Sequence, residues 1–205
     1  TDDFVENLQH YQELLPFVLP EPSSIYAHLR LHNGTIWRWS RMLIGFDDNS
    51  QAHFRIEQRV MPAGPSVIDM IANAAFFYGA AYLLAQREVA PESQLSFAQA
   101  RDNFYRAARD GLTAPLLWLD GHRRSAAELL QQQLLPLARE GLAALGIAAS
   151  DGERYLSVLG ERLHTRRNGA AWQVAHFARH GDLARLTADY IEQQNRQLPV
   201  HQWPL

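Results

Sequence analysis

A chain of 205 residues without cysteine excludes disulfides, thiolate zinc sites and a cysteine nucleophile. A formal net charge of −3 and the lack of Lys/Arg blocks argue against nucleic-acid binding through bulk charge. With 47% apolar and 20% charged residues, the composition is that of a globular protein, and the length allows one large or two small domains. Of these, we expect a single domain over residues 1–205.

The sequence predicts a helix at the start of the chain and strands after it. Residues 2–16 are amphipathic and acidic, as in a short helix, and carry no secretory signal, so we expect a cytoplasmic protein. Apolar alternation at 26–31 and the β-branched and aromatic residues at 35–39 predict two strands. Asn33-Gly34 between them is a favoured turn pair, because both residues tolerate positive φ.

A further strand is predicted at 53–60, after a loop at 45–51. The predicted strands thus occupy about residues 25–60, as two or three antiparallel strands near the N-terminus. A lone hairpin is only marginally stable in water. We therefore expect the sheet to be completed by a segment or a partner chain that is not in this sequence. The missing initiator Met also indicates a processed chain or a fragment.

From residue 66 the chain is predicted to be helical as far as residue 197, which makes the fold class α+β. The predicted helices are one opened by a capping box at Ser66–Asp69, then 97–110, 125–145 with a kink at Pro136, 152–166, 169–180 and 182–197. Further local signals are a brief extended stretch around Asp120-Gly121, a capping box at Ser150–Glu153, a C-cap at Gly181 and an N-cap at Asp182.

The first of these helices, at residues 67–85, is apolar enough to be weighed as a membrane span. Asp69, Asn73 and Gly79 interrupt it, and alanine outnumbers leucine. These interruptions favour a helix buried at the centre of a globular core, and we expect no membrane association.

The predicted strand at 53–60 carries a charged face formed by alternate residues. Arg55, Glu57 and Arg59 place plus, minus and plus on one side, because residues two apart on a strand point the same way. A solvated sheet face with paired charges is one interpretation. Phosphate chemistry is the other, since a carboxylate can bind Mg²⁺ while guanidinium groups hold phosphate oxygens.

Three other motifs suggest ligand binding less strongly. His176 and His180 have the spacing of a zinc pair without its acidic residue, which favours a solvated helix face. A basic cluster could bind phosphate at a helix start or complement a helix end; its members are Arg162, Arg166 and Arg167. Trp37 and Trp39 could stack on a base, although strand aromatics usually serve packing.

The run HNGTIWRW followed by RIEQRVMPAGPSVIDMIANAAFFYGA resembles the C-terminal half of glutamate–cysteine ligase family 2. Members of that family carry a His-x-x-Thr-Ile-aromatic run, then a charged strand, then Gly-Pro and an apolar helix. RIEQR is also similar to the Arg-x-Glu-x-Arg strand of glutamine synthetases, whose fold the ligases share. The resemblance implies that this chain is the C-terminal portion of a glutamine-synthetase-like catalytic fold.

The resemblance also implies roles for individual residues. Glu57 becomes a Mg²⁺ ligand, and Arg59 becomes the catalytic contact to the phosphate or the substrate carboxylate, with Arg55 beside it. His32 and Thr35 match the ligase pattern, and Arg38 lies one residue from the strand Arg of the superfamily; the resemblance implies that these three residues bind ATP or substrate. The implied cofactor is Mg²⁺, with ATP as co-substrate.

The implied activity is that of an ATP-dependent carboxylate-amine ligase, which forms an amide through an acyl phosphate. Its partners would be ATP, glutamate or a similar carboxylate, an amine, and the missing N-terminal half or partner chain, with homo-oligomerisation left open and no nucleic acid. The alternative is a non-catalytic helical interaction subunit or a degenerate ligase domain, in which RIEQR is only a structural row of ion pairs.

Overall fold

A computed structural model describes residues 2–61 and 64–205. The chain divides into two compact units, Thr1–Pro62 and Ala63–Leu205, which are treated separately below. Pro62 and Ala63, inside the predicted stop after the charged strand, lie outside the described residues. The expectation of one domain over residues 1–205 stays a prediction.

The first unit contains two helices followed by two strands. These are α1 (Asp2–His10), α2 (Ala27–Thr35), β1 (Ser40–Phe46) and β2 (Ala52–Gln58). Helix α1 is shorter than predicted. The predicted strands at 26–31 and 35–39 are wrong, and so is the turn at Asn33-Gly34, because α2 runs through this stretch and the first strand begins only at Ser40.

The reason for the helix lies in the environment of Asn33. Its side chain is buried, accepts a hydrogen bond from Asn7 Nδ2 at 3.0 Å and donates to the Met42 backbone oxygen at 2.8 Å. Over only six residues, an alternating pattern does not separate a strand from one turn and a half of helix. Contacts from outside the segment therefore decide its conformation.

Strands β1 and β2 form an antiparallel hairpin, which confirms the predicted strand around residues 53–60 and the loop before it. The register runs from Ser40 opposite Gln58 to Phe46 opposite Ala52. Asp47 closes the loop, because its Oδ1 accepts hydrogen bonds from the backbone N–H groups of Asn49 and Gln51 at 2.9 and 2.8 Å.

The second unit is helical apart from one short hairpin, so the α+β fold class is confirmed. Its helices are α3 (Val67–Ala85), α4 (Pro91–Gln94), α5 (Phe97–Asp110), α6 (Ala126–Leu129), α7 (Leu135–Ala144), α8 (Ala149–Thr165), α9 (Gly169–His180) and α10 (Leu183–Asn195). Strands β3 (Pro115–Leu117) and β4 (Arg123–Ser125) pair antiparallel around the predicted extended stretch.

Most predicted helix ends are confirmed by their hydrogen bonds. Ser66 and Asp69 form the capping box of α3, and Gly181 ends α9 with a φ of 65° before Asp182 caps α10. The capping box at Ser150–Glu153 is wrong, because α8 begins at Ala149 and Ser150 already lies inside its first turn. The predicted helix at 125–145 contains a π-helical stretch, Leu130–Leu134, just before Pro136.

The core of the second unit forms where α3 crosses α7 and α8. Its buried residues include Ala80, Leu135, Ala138, Leu142, Leu156 and Leu163. Gly79 of α3 and Gly141 of α7 lie so close that a Cβ on Gly79 would overlap with the backbone oxygen of Ala138. Small residues thus let the two helix backbones touch.

Helix α3 is less buried than predicted. Ala72, Gly79 and Ala80 are buried, but Val67, Ile71 and Tyr78 are exposed by 51%, 42% and 63%. Only one side of α3 packs on α7 and α8, so the prediction of a helix buried at the centre of the core is wrong for its other side. Among the described residues, α3 is the one helix whose length and composition would allow it to cross a membrane, which by itself is weak evidence.

A buried ion pair fixes the beginning of α3. Asp69 is fully buried, and its Oδ1 accepts hydrogen bonds from Arg162 Nε at 3.0 Å and from Arg162 Nη2. Its Oδ2 accepts from Ser66 N at 3.2 Å, from Ser66 Oγ at 2.8 Å and from Val200 N at 3.0 Å. One carboxylate therefore ties together α3, α8 and the segment after α10.

Candidate functional site

The charged face of β2 gains a residue from β1. In the hairpin register Arg41 lies directly opposite Glu57, and Leu43 lies opposite Arg55. Side chains directly opposite each other in an antiparallel pair lie on the same face of the sheet. The charged face therefore contains Arg41 together with Arg55 and Glu57, and periodicity within β2 alone missed it.

Glu57 is held at one of its two carboxylate oxygens. Arg41 donates to Oε2 through Nη2 at 2.8 Å and through Nε at 3.1 Å, and Arg59 Nε lies 3.9 Å from the same oxygen. Arg41 also donates to the backbone oxygen of Gly34 at 3.3 Å, which anchors it to the end of α2. In the part of the chain that the structure describes, the side-chain hydrogen bonds to this carboxylate are accepted by Oε2, which leaves Oε1 able to accept bonds from a ligand.

Arg59 lies beside an exposed pair of tryptophans. Its guanidinium carbon is 5.9 Å from the centre of the Trp37 ring, and its backbone N–H donates to the Trp39 oxygen at 2.9 Å. The Trp37 and Trp39 rings meet edge to face at 4.5 Å and are 60% and 45% exposed. Because both rings lie before β1 and face solvent, packing within a strand does not explain them, and base stacking stays a prediction.

Arg55 and His53 extend the charged face toward the loop. Both are exposed, and a Cβ on Gly45 would come within 2.7 Å of Arg55 Nε and of His53 Nε2. Glycine at this position of β1 therefore leaves space for both side chains. Arg55 lies on the same face of β2 as Glu57, and its catalytic role stays a prediction.

The other predicted binding residues make separate contacts, with α1, with the residue that follows α1 and within α2. Arg38 Nη2 donates to Glu6 Oε2 at 2.7 Å and to Asn7 Oδ1 at 2.9 Å. The ring Nε2 of His32 lies 3.1 Å from the Tyr11 backbone oxygen, and Thr35 Oγ1 donates to the His32 oxygen at 2.8 Å.

The setting predicted for two residues is wrong, because Thr35 lies on helix α2 and not on a strand, and His32 lies on the same helix and not between a strand and a turn. Among the described residues, no recorded contact joins His32, Thr35 or Arg38 to Glu57. The structure thus brings together Arg41, Glu57 and Arg59. In the described part of the chain, the other predicted binding residues make no hydrogen bond or ion pair with this group; they are His32, Thr35 and Arg38.

A magnesium ion would find one protein ligand on this face. Within residues 2–61 and 64–205, no group of three or more His, Asp or Glu side chains is arranged to hold a metal. Mg²⁺ commonly takes one or two carboxylates and completes its shell with water and substrate phosphates. A single free Glu57 oxygen fits that arrangement when a nucleotide supplies the remaining ligands.

Two motifs from the sequence have surroundings that the sequence did not predict, although Arg162 does lie in the last turn of α8, as the helix-end interpretation predicts. Arg162 is buried against Asp69, so it is not available to bind phosphate at a helix start. His176 was predicted on a solvated helix face but is 2% exposed, with Nε2 at 2.8 Å from Asp189 Oδ2. Neither burial could be read from local sequence, because the partners lie 93 and 13 residues away.

Comparison with protein-family models matches residues 9–189 to the model described as glutamate-cysteine ligase family 2. The match covers most of the chain, including the β1–β2 hairpin and the helices as far as α10. Searches of curated proteins and of solved structures found no match.

Proposed function

We propose, because the chain belongs to glutamate-cysteine ligase family 2, that it forms an amide bond as an ATP-dependent carboxylate-amine ligase. The family is one of ligases, which supports an enzyme. The observation that carries the proposal is the family match over residues 9–189. The charged face supports it, because two guanidinium groups flank one carboxylate and approach only one of its two oxygens.

The proposed reaction has two steps. The γ-phosphoryl group of ATP passes to a substrate carboxylate, with the γ-carboxylate of glutamate as the favoured candidate, and ADP leaves. The nitrogen of an amine then attacks the acyl carbon, the carbon–oxygen bond to phosphate breaks, and the amine loses a proton. Positioning and neutralisation of charge are the main tasks of a protein in such phosphoryl transfers.

The residues of the charged face would divide these tasks. Bound Mg²⁺ supplies charge neutralisation at the phosphates, and Glu57 Oε1 would be its ligand from this chain. Arg59 would contact the transferred phosphoryl group or the substrate carboxylate, since guanidinium pairs with both in a planar, two-point geometry. Arg41 is a positioning residue, because it holds Glu57 Oε2 and so presents Oε1.

Arg55 is proposed to add positive charge along the same face, where it would attract the anionic substrates. His32, Thr35 and Arg38 are proposed to bind ATP or substrate, a role that rests on the family pattern alone. The cytoplasm remains the proposed location, and oligomerisation remains open.

We further propose that another segment or chain completes the β1–β2 sheet. Among residues 2–61 and 64–205, no further strand pairs with the outer edge of β1 or β2, and isolated hairpins are marginally stable. Phe54 and Ile56, on the face of β2 opposite Glu57, are 60% and 70% exposed. A strand added at this sheet would also bring the further carboxylates that a Mg²⁺–ATP site uses.

One observation favours the alternative of a degenerate domain. Arg41 donates two hydrogen bonds to Glu57 Oε2, so this oxygen has partners without any ligand. A purely structural ion pair between two strands has the same geometry. In that case Glu57 contributes to the hairpin and to nothing else.

The substitution Glu57→Gln in the intact natural protein separates these two functions. We expect ATP turnover to fall about 10²-fold or more, because a neutral amide is a poor Mg²⁺ ligand and no longer balances two guanidinium groups. Glu140→Gln, at an exposed position of α7, is the matched control and should keep full turnover. Circular dichroism confirms that both variants fold.

If Glu57→Gln turns over ATP as fast as the wild type, Glu57 is not a metal ligand, whether or not the variant is less stable. Its role is then the structural ion pair with Arg41. No turnover in the wild-type intact protein with any carboxylate and amine pair would favour the degenerate domain.

A further inference from the structure

A chain of hydrogen bonds between side-chain amides connects helix α1, through α2, to strand β1. Asn7 of α1 donates through Nδ2 to Asn33 Oδ1 at 3.0 Å, and Asn33 of α2 donates through Nδ2 to the backbone oxygen of Met42 at 2.8 Å. Asn7 and Asn33 are 1% and 4% exposed, so water does not replace these bonds when they break. The backbone of β1 at Met42 is therefore tied to both helices.

Arg38 gives this chain of hydrogen bonds its direction. Arg38 Nη2 donates to Asn7 Oδ1 at 2.9 Å and to Glu6 Oε2 at 2.7 Å. Because a guanidinium group has only donors, Asn7 has to turn its oxygen toward Arg38 and its Nδ2 toward Asn33. Asn33 then presents Oδ1 to Asn7 and Nδ2 to Met42. Reversal of either amide would set donor against donor and acceptor against acceptor, so each amide has one favourable orientation.

The anchored position in β1 lies next to Arg41. Arg41 Nη1 donates to the backbone oxygen of Gly34 at 3.3 Å, and its Nη2 donates to Glu57 Oε2 at 2.8 Å. Gly34 follows Asn33 in α2, as Met42 follows Arg41 in β1. Two consecutive residues of α2 thus contact two consecutive residues of β1, one through the strand backbone and one through the guanidinium group. An arginine side chain loses much conformational freedom when it is ordered, and this double contact supplies the order.

We propose that Asn33 is a positioning residue for the charged face, because it fixes β1 at Met42 and so directs Arg41 to Glu57 Oε2. Asn33 acts through Arg41 and not by contact with a substrate. The role rests on the proposed ligase function, since it affects activity only if Glu57 Oε1 binds the metal. The placement of Arg41 can be measured without substrate, so the two proposals can fail separately.

The first test follows the Nε–H group of Arg41 by ¹H–¹⁵N NMR in the 205-residue chain. In the wild type this group donates to Glu57 Oε2 at 3.1 Å, which slows the exchange of its proton with water. In Asn33→Ala we expect this exchange to become at least about tenfold faster, because the strand has lost its anchor. The backbone N–H of Gln51, which donates to Asp47 Oδ1 at the other end of the hairpin, should keep its exchange rate.

Asn103→Ala in α5 is the matched control. Asn103 also joins a helix to a strand, because its Nδ2 donates to the Leu117 backbone oxygen at 2.6 Å and its Oδ1 accepts from the Leu117 N–H at 2.9 Å. We expect both variants to lose stability, but only Asn33→Ala to release the Arg41 proton. An unchanged Arg41 exchange rate in Asn33→Ala, or the same acceleration in Asn103→Ala, would overturn the proposal.

The second test measures ATP turnover of the intact natural protein as a function of Mg²⁺ concentration. Asn33→Ala should raise the Mg²⁺ concentration for half-maximal turnover at least about tenfold, whereas Asn103→Ala leaves it unchanged. Faster Arg41 exchange without a change in this Mg²⁺ dependence would refute a role of Asn33 in the site. A wild-type protein without turnover would refute the ligase function, and the NMR comparison would then decide alone whether Asn33 places Arg41.

Asn7→Ala is the second variant if Asn33→Ala does not fold. It removes the outer bond of the chain and keeps the bond from Asn33 to Met42, so the change in structure is smaller. We expect Arg41 Nε–H exchange to accelerate in the same direction, by about threefold or more, because the Asn33 amide is no longer held in one orientation. An Arg41 exchange rate equal to that of the wild type would overturn the proposal.

Discussion

The two oxygens of the Glu57 carboxylate have different surroundings, and this difference determines what the residue can do. Oε2 receives two hydrogen bonds from Arg41, whereas the recorded contacts of the described residues leave Oε1 unused. The Arg41 side chain is 16% exposed and that of Glu57 38%, and an ion pair that solvent still reaches contributes little to stability, typically about 1 kcal/mol or less. In the proposed mechanism, this pair therefore serves to orient one oxygen more than to hold the hairpin together.

Asp69 is the residue whose substitution we expect to cost the most stability. Asp69→Asn removes the negative charge that balances Arg162, and both side chains are almost fully buried. Loss of one partner from a buried ion pair leaves the other charge uncompensated, which costs about 3–5 kcal/mol. Urea unfolding of the variant and the wild type measures this loss.

Asp151→Asn provides the comparison for that measurement. Asp151 lies exposed in the first turn of α8, where it interacts with the helix dipole, so its substitution should cost less than about 1 kcal/mol. Equal losses in the two variants would mean that the Asp69–Arg162 pair does not fix the start of α3.

The sequence alone predicts some of the charged face and misses the rest for physical reasons. Glu57 and Arg59 follow from strand periodicity combined with the resemblance to the ligases. Arg41 requires the hairpin register, which becomes known only when the loop between the strands is placed. The burial of Arg162 and His176 depends on residues from other helices, and no local pattern encodes it.

At the scale of elements, the contact between α3 and α7 depends on two glycines. A Cβ on Gly79 would overlap with the Ala138 backbone oxygen, and a Cβ on Gly141 would overlap with the Gly79 backbone oxygen. Gly79→Ala should therefore push the helices apart and lower the free energy of unfolding by about 1–3 kcal/mol. Thermal and urea denaturation provide the measurement.

Gly160→Ala on α8 is the matched control, because a Cβ there meets no atom within 4 Å. Alanine is the better helix former, so this variant should gain about 0.5–1 kcal/mol. A Gly79→Ala protein as stable as Gly160→Ala would show that α3 and α7 do not approach at the glycines.

The sequence predicts best those helices whose ends carry capping residues. Ser66 and Asp69, Ser96 and Gln99, and Gly181 mark helix ends with hydrogen bonds that involve only nearby residues. Helix α2 lacks such signals and depends on the buried side chain of Asn33, whose partners come from α1 and β1. The sequence therefore predicts most helices of the second unit, and in the first unit it predicts α1, with too great a length, β2 and the loop before β2.

At the scale of the whole molecule, the two units differ in how much they bury. Along β1 and β2 only Gly45 is buried, whereas α3, α7 and α8 share a continuous apolar core. Hydrogen exchange reflects such differences in local stability. In the 205-residue chain, the amides of β1 and β2 should exchange faster than those of α3 and α7.

Mass spectrometry of exchanged peptides measures this difference. In the intact natural protein, the amides of β1 and β2 should become more protected, because an added strand would bond to their free edge. Equal protection of hairpin and helices in the 205-residue chain would contradict the view that the sheet is incomplete.

The central claim is that the intact natural protein activates a carboxylate by phosphorylation. The direct measurement is oxygen transfer: the protein is given ATP, Mg²⁺, an amine and glutamate whose γ-carboxylate carries ¹⁸O, and the released phosphate is analysed by mass spectrometry. An acyl phosphate predicts one ¹⁸O atom in the phosphate for each amide formed, and neither product in Glu57→Gln. Amide formation with unlabelled phosphate, or ATP hydrolysis that does not depend on the carboxylate, would contradict the account.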